Sequence, residues 1–131
     1  MIHLDTNYLI ALAVRNSSPA RDVDQWLAAG QTLAASALAW TEFLNGPVGG
    51  EEISLVEAVL ENRIVPFEKP TAVLAAQLFN QAGRRRGSRF DCLIAATAIL
   101  AGAELATENR GDFRRLGHFG LKLIGPGGQR A

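Results

Sequence analysis

The stretch MIHLDTN, residues 1–7, decides the fold because it sets a short apolar strand directly before a polar turn. The run Met1–Leu4 is apolar enough to form a buried strand, and Asp5, Thr6 and Asn7 are residues typical of turns. Further short apolar runs alternate with helical segments along the rest of the chain. This alternation predicts an α/β fold, a three-layer sandwich whose central, mainly parallel sheet is flanked by helices on both faces.

The other predicted elements follow from the start and stop signals of helices. Ser18 followed by Pro19 marks one helix start, Ser36 marks another, and Ser54 with Glu57 forms a capping-box pattern for a third. Further strands are expected at residues 32–35, 64–66, 104–107 and 121–124. Helices are expected at residues 8–14, 19–29, 37–45, 55–62, 70–82, 89–101 and 112–116. The chain 1–131 is predicted to be one domain with a loose Gly/Pro tail from about residue 125.

Length and composition are those of an ordinary globular domain. The 131 residues are one domain's worth, and 48% of them are hydrophobic, which is enough for a core. No apolar run reaches the roughly 18 residues of a membrane helix, and the start MIHLD lacks the features of a signal peptide. Cys92 is the single cysteine, so no internal disulfide is possible. We therefore expect a cytoplasmic protein without a membrane partner.

The net charge is zero, but the charges are unevenly distributed along the chain. Residues 1–83 hold four Lys/Arg and nine Asp/Glu, a balance of −5, whereas residues 84–131 hold nine and four, a balance of +5. The start of the basic half contains four arginines, Arg84, Arg85, Arg86 and Arg89. Such a cluster indicates either a solvated surface or the binding site of an anionic partner.

Acidic residues stand beside apolar or turn-forming residues in four separate segments. Asp5 ends the first strand and Asp112 follows the strand at 104–107, so the carboxyl ends of parallel strands would bring both to one rim. Glu42 and Asp91 lie on predicted helices. Carboxylates that converge repel one another, and a hard divalent cation such as Mg²⁺ or Mn²⁺ relieves the repulsion. Nucleases use such clusters to hydrolyse phosphodiesters.

Three of these segments also allow a purely structural interpretation. Asp5 could cap the first helix or form an Asx-turn. Asp91 completes an S-x-x-D capping pattern that begins at Ser88, and Asn109 could cap a short helix with Asp112 at its third position.

Glu42 is harder to explain by a structural role. Its predicted helix carries Leu38, Trp40 and Leu44 and is apolar nearly all round, which is typical of a buried helix. A buried carboxylate needs a cation or several hydrogen bonds.

Other kinds of α/β site find less support in the sequence. Neither G-x-G-x-x-G nor G-x-x-x-x-G-K-[ST] occurs, so dinucleotide and P-loop sites are not indicated. A D-x-D phosphatase would need an acid at position 7, where Asn7 stands, and a phospho-receiver domain would need a pair of acids after the first strand. The soft zinc ligands available, His3, Cys92 and His118, lack the spacing of a zinc site.

Four segments taken together resemble the successive motifs of the PIN domain family, and especially its VapC-type toxins from bacterial toxin–antitoxin pairs. They are LDTNYLIAL (4–12), SALAWTEFLNG (36–46), GSRFDCLIAATA (87–98) and LATENRGDF (105–113). The resemblance covers nearly the whole chain, with the motifs in the family's order. It implies a compact α/β sandwich and a Mg²⁺- or Mn²⁺-dependent ribonuclease, often a homodimer, inhibited by a small VapB-like antitoxin encoded alongside it.

The resemblance also implies roles for individual residues. Its acidic positions fall on Asp5, Glu42, Asp91 and Asp112, which would hold the metal. Many relatives have a basic or neutral residue where this chain has Glu108, and this extra acid leaves the fourth ligand open.

Three further positions match supporting residues of the family pattern. Thr6 and Thr107 match small hydroxyl residues that orient ligands or water. Asn109 matches a polar position, and it is a further candidate for the fourth ligand.

The sequence thus predicts a metal-dependent endoribonuclease in which Arg84–Arg86 and Arg89 hold the backbone of the RNA substrate. Two alternatives come from other functional classes. One is a catalytically silent PIN-like binding module whose acids dock a basic partner peptide, and the other is a metal-dependent phosphatase acting on small phosphoesters.

Overall fold

The computed structural model of the chain describes residues 1–14, 17–125, 127 and 130. Within these residues, five strands form one sheet: β1 Ile2–Leu4, β2 Leu33–Ser36, β3 Ile64–Val65, β4 Glu104–Ala106 and β5 Lys122–Ile124. They are joined by α-helices, which are α1 Thr6–Ala13, α2 Ser18–Ala28, α3 Ala37–Leu44, α4 Gly50–Leu60, α5 Lys69–Gln81, α6 Arg89–Leu100 and α7 Arg110–Phe113. A 3₁₀ helix, Arg114–Phe119, directly follows α7.

The strands lie in the order β3-β2-β1-β4-β5, and each neighbouring pair is parallel. In the centre, Ile2 is in register with Leu33 of β2 and Glu104 of β4. The chain moves from β1 to one side of the sheet through β2 and β3, and later to the other side through β4 and β5. The strand order therefore reverses between β1 and β4, and such a switch point opens a crevice at the carboxyl ends of the strands. The predicted α/β fold with a parallel sheet is confirmed.

The central strands are buried on both faces, which explains why they are continuously apolar in sequence. Helix α1 packs against α2, α3 and α4, while α5 packs along α6. Helix α6 is a core helix whose buried side chains include Ile94 and Ala95. No helix in the described ranges has the length and apolarity that crossing a membrane requires.

Two helices begin one or two residues earlier than predicted because a preceding side chain caps them. Helix α1 begins at Thr6, not residue 8, since the Asp5 carboxylate accepts a hydrogen bond from the Thr6 backbone N–H at 2.8 Å. Helix α2 is capped by Ser17, not Ser18, and the Ser17 Oγ accepts from the Ala20 N–H at 3.2 Å. Both helices begin with the usual hydrogen bond of an N-cap side chain, but one or two residues earlier than predicted.

The predicted start of α4 is wrong by several residues. The helix begins at Gly50 with Gly49 as its N-cap, and the Glu52 side chain accepts a hydrogen bond from the Gly49 backbone N–H. Ser54 and Glu57, the expected capping box, lie inside the helix. A serine followed three residues later by an acid fits an internal turn of a helix as well as its start, and the pattern cannot separate the two.

The C-terminal segment is anchored at the two positions beyond Gly125 that the structure describes. Gly127 donates its backbone N–H to the buried Asp22 carboxylate at 3.1 Å. The Arg130 guanidinium pairs with Glu104 through contacts of 2.6 and 3.2 Å, and Arg130 forms an isolated antiparallel bridge with Ile124. The predicted loose tail is therefore held at these positions, and its residues 126, 128, 129 and 131 lie outside the described residues.

Candidate functional site

Asp5 lies at the switch point, where β1 ends and α1 begins. Its carboxylate is buried, with 5% of the residue exposed. One oxygen, Oδ1, caps α1, while Oδ2 accepts a hydrogen bond from the Thr107 hydroxyl at 2.7 Å. Asp5 can therefore cap α1 and still belong to the candidate site, because the cap uses only Oδ1. Burial raises the pKa of Asp5; hydrogen bonds from Thr107 and Thr6 oppose the rise, and the negative charges of Glu42 and Asp112 add to it.

Thr107 connects the two strand ends that form the crevice. It follows β4 and is fully buried, and besides donating to Asp5 its Oγ1 accepts the Asn109 backbone N–H at 2.9 Å. The Asn7 side chain reaches across from α1: its Oδ1 accepts from the Glu108 N–H at 3.2 Å. Asn7 was expected only as a turn residue, and its role as a bridge between the strand ends depends on a pairing that the local sequence does not reveal.

Glu42 faces the same crevice from α3. Its Oε1 accepts a hydrogen bond from the Thr6 hydroxyl at 2.7 Å. The expectation that α3 is buried all round is wrong: the helix buries Ala39 and Phe43, whereas Leu44 is 43% exposed and Glu42 is only partly buried. The carboxylate therefore lies at the edge of the core, where it can meet both Thr6 and solvent.

Asp91 lies in the first turn of α6 and is not part of a capping box. Ser88 makes no side-chain capping bond to α6, and its hydroxyl donates to the Arg85 carbonyl at 2.7 Å. Burial raises the pKa of Asp91 to about 6, and the negative charges of Asp5, Asp112 and Glu42 contribute to the rise. The carboxylates of the other three acidic segments therefore all lie within electrostatic reach of Asp91.

Asp112 lies on α7 and Glu108 lies in the turn before it. Asp112 is partly exposed and accepts a hydrogen bond from Arg85 Nη2 at 3.2 Å. The charge of Asp112 acts on Asp5 and Asp91, whereas the exposed Glu108 acts on the hydroxyl of Tyr8. Of the two acids, Asp112 is therefore the one within electrostatic reach of the other carboxylates. Asn109 takes the N-cap position of α7 but makes no side-chain capping bond.

The four carboxylates share a rim without forming a finished chelate. Within residues 1–14, 17–125, 127 and 130, no three His, Cys, Asp or Glu side chains stand together as a ready metal site. Asp5 is turned to Thr107, Glu42 to Thr6 and Asp112 to Arg85.

The four predicted RNA-binding arginines have different environments. Arg84 and Arg89 stack on the Phe79 ring, with guanidinium carbons 5.1 and 4.7 Å from its centroid. Arg85 pairs with Asp112, and Arg86 is exposed. Arg84 and Arg89 also line a groove of about 340 Å³ between α5 and α6. The segment from Arg84 to Arg89 therefore extends from this groove to the acidic rim, where Arg85 pairs with Asp112.

A further residue, Arg115, was missed by sequence reasoning. It lies in the 3₁₀ helix after α7, and its Nε and both Nη atoms are buried. Its positive charge acts on Asp91 and on the thiol of Cys92. An arginine in a polar turn carries no sequence signal of burial, because the burial depends on how the turn packs against α6.

Comparison with known proteins identifies the family of this chain. A PIN domain family model matches residues 2–118. A search of curated proteins found no significant match. Among solved structures, a chain of FitAB bound to an IR36 DNA fragment is 26% identical, with a TM-score of 0.69, and the match covers 96% of this chain and 95% of that one.

Two further structures share the fold at lower identity. A chain of VapBC2 from Rickettsia felis, bound to a DNA fragment from its promoter, is 24% identical with a TM-score of 0.71, covering 95% of this chain and 98% of that one. A chain of DNA-bound VapBC from Salmonella typhimurium is 19% identical with a TM-score of 0.72, covering 95% and 96%. Since the family model spans most of the sequence, the chain belongs to the PIN domain family.

Proposed function

We propose that this chain is a Mg²⁺- or Mn²⁺-dependent endoribonuclease and the toxin of a toxin–antitoxin pair. What supports the proposal most is that the charges of Glu42 and Asp112 act on Asp5, and those of Asp5, Glu42 and Asp112 on Asp91, although the four acids come from separate segments of the chain. Their mutual repulsion adds to the effect of burial on the pKa of Asp5 and Asp91. Membership of the PIN domain family supports a nuclease.

The donor set fits a hard divalent cation. All four side chains offer carboxylate oxygens, the ligands that Mg²⁺ and Mn²⁺ prefer, and their accumulated negative charge needs a compensating cation. Asp5, Glu42 and Asp91 would hold the ion, directly or through water, with Asp112 completing the site. When bound, such an ion lowers the pKa of a water molecule and stabilises the charge that develops on the phosphoryl oxygens.

The hydroxyl residues of the site preorganise the carboxylates. The Thr107 hydroxyl fixes one oxygen of Asp5, and the Thr6 hydroxyl fixes one oxygen of Glu42. The Asn109 backbone N–H in turn holds the Thr107 oxygen. Asp5 and Glu42 are therefore oriented before a cation or substrate arrives, which reduces the reorganisation that the reaction requires.

The arginine segment would hold the RNA backbone beside the acids. Arg86 is exposed, and Arg84 and Arg89 are oriented by the Phe79 ring. Arg85 would leave Asp112 for a phosphate, because an ion pair this exposed contributes only about 0–1 kcal/mol and is easily exchanged. A local positive cluster of this kind can bind RNA even though the net charge of the chain is zero.

The partner we propose is a small antitoxin that covers the acidic rim. The similar structures include FitAB, VapBC complexes bound to DNA, and a toxin–antitoxin complex from Klebsiella pneumoniae. Clustered carboxylates are a good target for an arginine of the partner, whose planar guanidinium pairs with a carboxylate through two hydrogen bonds. We also propose a homodimer as the assembly that the antitoxin binds.

The proposal is tested with purified protein and total cellular RNA. Wild-type protein should cleave RNA with Mn²⁺ or Mg²⁺ and not in excess EDTA. Asp5→Asn should lower the rate at least about a hundredfold, the scale for losing one element of electrostatic stabilisation. Asp24→Asn is the matched control, because Asp24 is exposed on α2, and it should cleave normally.

Two outcomes would point to the other classes of function. Hydrolysis of a small aryl phosphate without RNA cleavage would indicate a phosphatase. Failure to cleave RNA or the aryl phosphate, combined with tight binding of a basic peptide, would indicate a silent binding module.

A further inference from the structure

Phe90 is an aromatic residue exposed at the start of α6. It is 39% exposed, although Cys92, two residues further on, is buried. In the part of the chain that the structure describes, no other ring and no cation stacks on it. Phe79 differs, because the guanidinium groups of Arg84 and Arg89 already lie over its ring. Phe90 therefore offers a free aromatic surface to a ligand.

Phe90 lines a pocket whose other walls are largely basic. The pocket has a volume of about 450 Å³, within the range of small-ligand sites, and is lined by Phe79, Arg84, Arg86, Gly87, Arg89 and Phe90. These residues include no acid. The three arginines are exposed, and none of them pairs with a carboxylate within the described ranges. Positive charge beside an aromatic surface is complementary to a ligand that is anionic and carries a flat ring.

The pocket adjoins the acidic rim at two points. Asp91, one of the four carboxylates, directly follows Phe90 in the first turn of α6. Arg85 stands in sequence between two of the lining arginines, and its guanidinium pairs with Asp112 at 3.2 Å. An RNA strand that reaches the carboxylates can therefore also place a nucleotide in this pocket.

We propose that Phe90 is the stacking platform for one base of single-stranded RNA, and that Arg84, Arg86 and Arg89 bind the phosphates beside that base. The inference rests on the proposed function, because it assigns the RNA substrate to this pocket. A base stacks on a protein ring only when it is not enclosed in a duplex, so the pocket selects single strands. Every base has a flat face, so the platform gives no strong sequence preference.

The proposal is tested by the binding of fluorescently labelled oligonucleotides in EDTA, which separates binding from metal-dependent cleavage. The probes are a short oligouridylate, a chain of the same length made of abasic ribose phosphates, and an RNA duplex. Phe90→Leu keeps an apolar side chain and removes the ring, so it should weaken binding of the oligouridylate by about 5- to 100-fold, the scale for one base–aromatic stack. Binding of the abasic chain and of the duplex should not change, because the arginines alone hold them.

Two variants and one comparison within the wild type serve as controls. Phe90→Tyr keeps an aromatic ring and should bind the oligouridylate like the wild type. Phe67→Leu makes the same change as Phe90→Leu at a residue that is 46% exposed but does not line the pocket, and it should have no effect. The wild type should prefer the oligouridylate to the abasic chain by a similar factor, a comparison that requires no variant to fold.

Several results would overturn the proposal. One is a wild type that binds the oligouridylate no better than the abasic chain, and another is a folded Phe90→Leu whose affinity for the oligouridylate is unchanged. A dimer that dissociates in Phe90→Leu, seen by sedimentation, would make the residue a contact between two copies of the chain and would also overturn it. If the wild type binds the oligouridylate through Phe90 but cleaves no RNA with Mn²⁺ or Mg²⁺, the proposed nuclease fails while the base platform stands.

Discussion

Replacing Asp91 by asparagine should make the metal-free protein more stable while removing one ligand of the proposed site. In the folded chain, burial and the neighbouring carboxylates raise the pKa of Asp91 from 3.8 to about 6. At one pKa unit per 1.36 kcal/mol, the ionised carboxylate opposes folding by about 3 kcal/mol. Asp91 is only partly buried, so solvent screening reduces this free energy to about 1–2 kcal/mol. Asparagine has nearly the same shape and carries no charge.

The sign of the pH dependence is specific to this mechanism. Below about pH 4 the carboxyl is protonated in both the folded and the unfolded chain, so the Asp91→Asn variant gains nothing. Between pH 4 and 6 the unfolded chain releases the proton first, and the gain grows. Above pH 6 the gain is constant.

The measurement is urea unfolding in EDTA, followed by the fluorescence of the buried Trp26 at several values between pH 4 and 8. Asp24→Asn, on an exposed face of α2, is the control and should change the free energy of unfolding by less than about 0.5 kcal/mol at every pH. An Asp91→Asn variant that is less stable than the wild type at pH 8, or whose gain does not depend on pH, would refute the reasoning. So would a wild type that Mg²⁺ does not stabilise more than the variant.

Three further predictions concern neighbouring groups. Asp112→Asn should slow RNA cleavage more than Glu108→Gln does, and the reverse order would reassign the fourth acidic ligand. His3 is buried, and burial lowers its pKa to about 4, so wild-type stability should fall as pH drops from 6.5 towards 4, by up to about 3 kcal/mol. The free energy of unfolding of His3→Leu, measured by denaturation, should not show this fall. A pH profile identical to that of the wild type would contradict the prediction. Replacing Arg84 and Arg86 by Ala should lower the salt dependence of RNA binding, log K against log salt, by about 0.7 for each lost phosphate contact. An unchanged slope would mean that these arginines are only a solvated surface.

The sequence predicts the sheet better than the starts of the helices. The run Met1–Leu4 is apolar because β1 is covered on both faces, and this burial is visible in the residue types themselves. The start of α4 is not visible in the residue types, because Gly49 has no side chain and the capping hydrogen bond is made by Glu52. Ser54 shows the converse case, in which a valid capping pattern occurs inside a helix.

The acids of the candidate site are predictable, but their partners are not. Asp5 is recognisable from its place after a buried strand. Its bond to Thr107 depends on which strands become neighbours, and strand order is a property of the whole fold. The Ser88 hydroxyl donates to the Arg85 carbonyl and does not cap α6, and the sequence leaves open which local hydrogen bonds such a serine makes. The burial of the Arg115 guanidinium depends on how its turn packs against the rest of the fold, so the sequence does not predict it.

The hydrogen bond between Asp5 and Thr107 has a consequence for protein synthesis. It joins residues 102 positions apart, and Asp112 comes later still in the chain. During translation the first acid leaves the ribosome long before the strand that completes the crevice. A nascent or prematurely terminated chain that lacks β4 and α7 therefore cannot assemble the site, and a cell making this protein would meet its activity only after residues 5–112 have emerged and folded together.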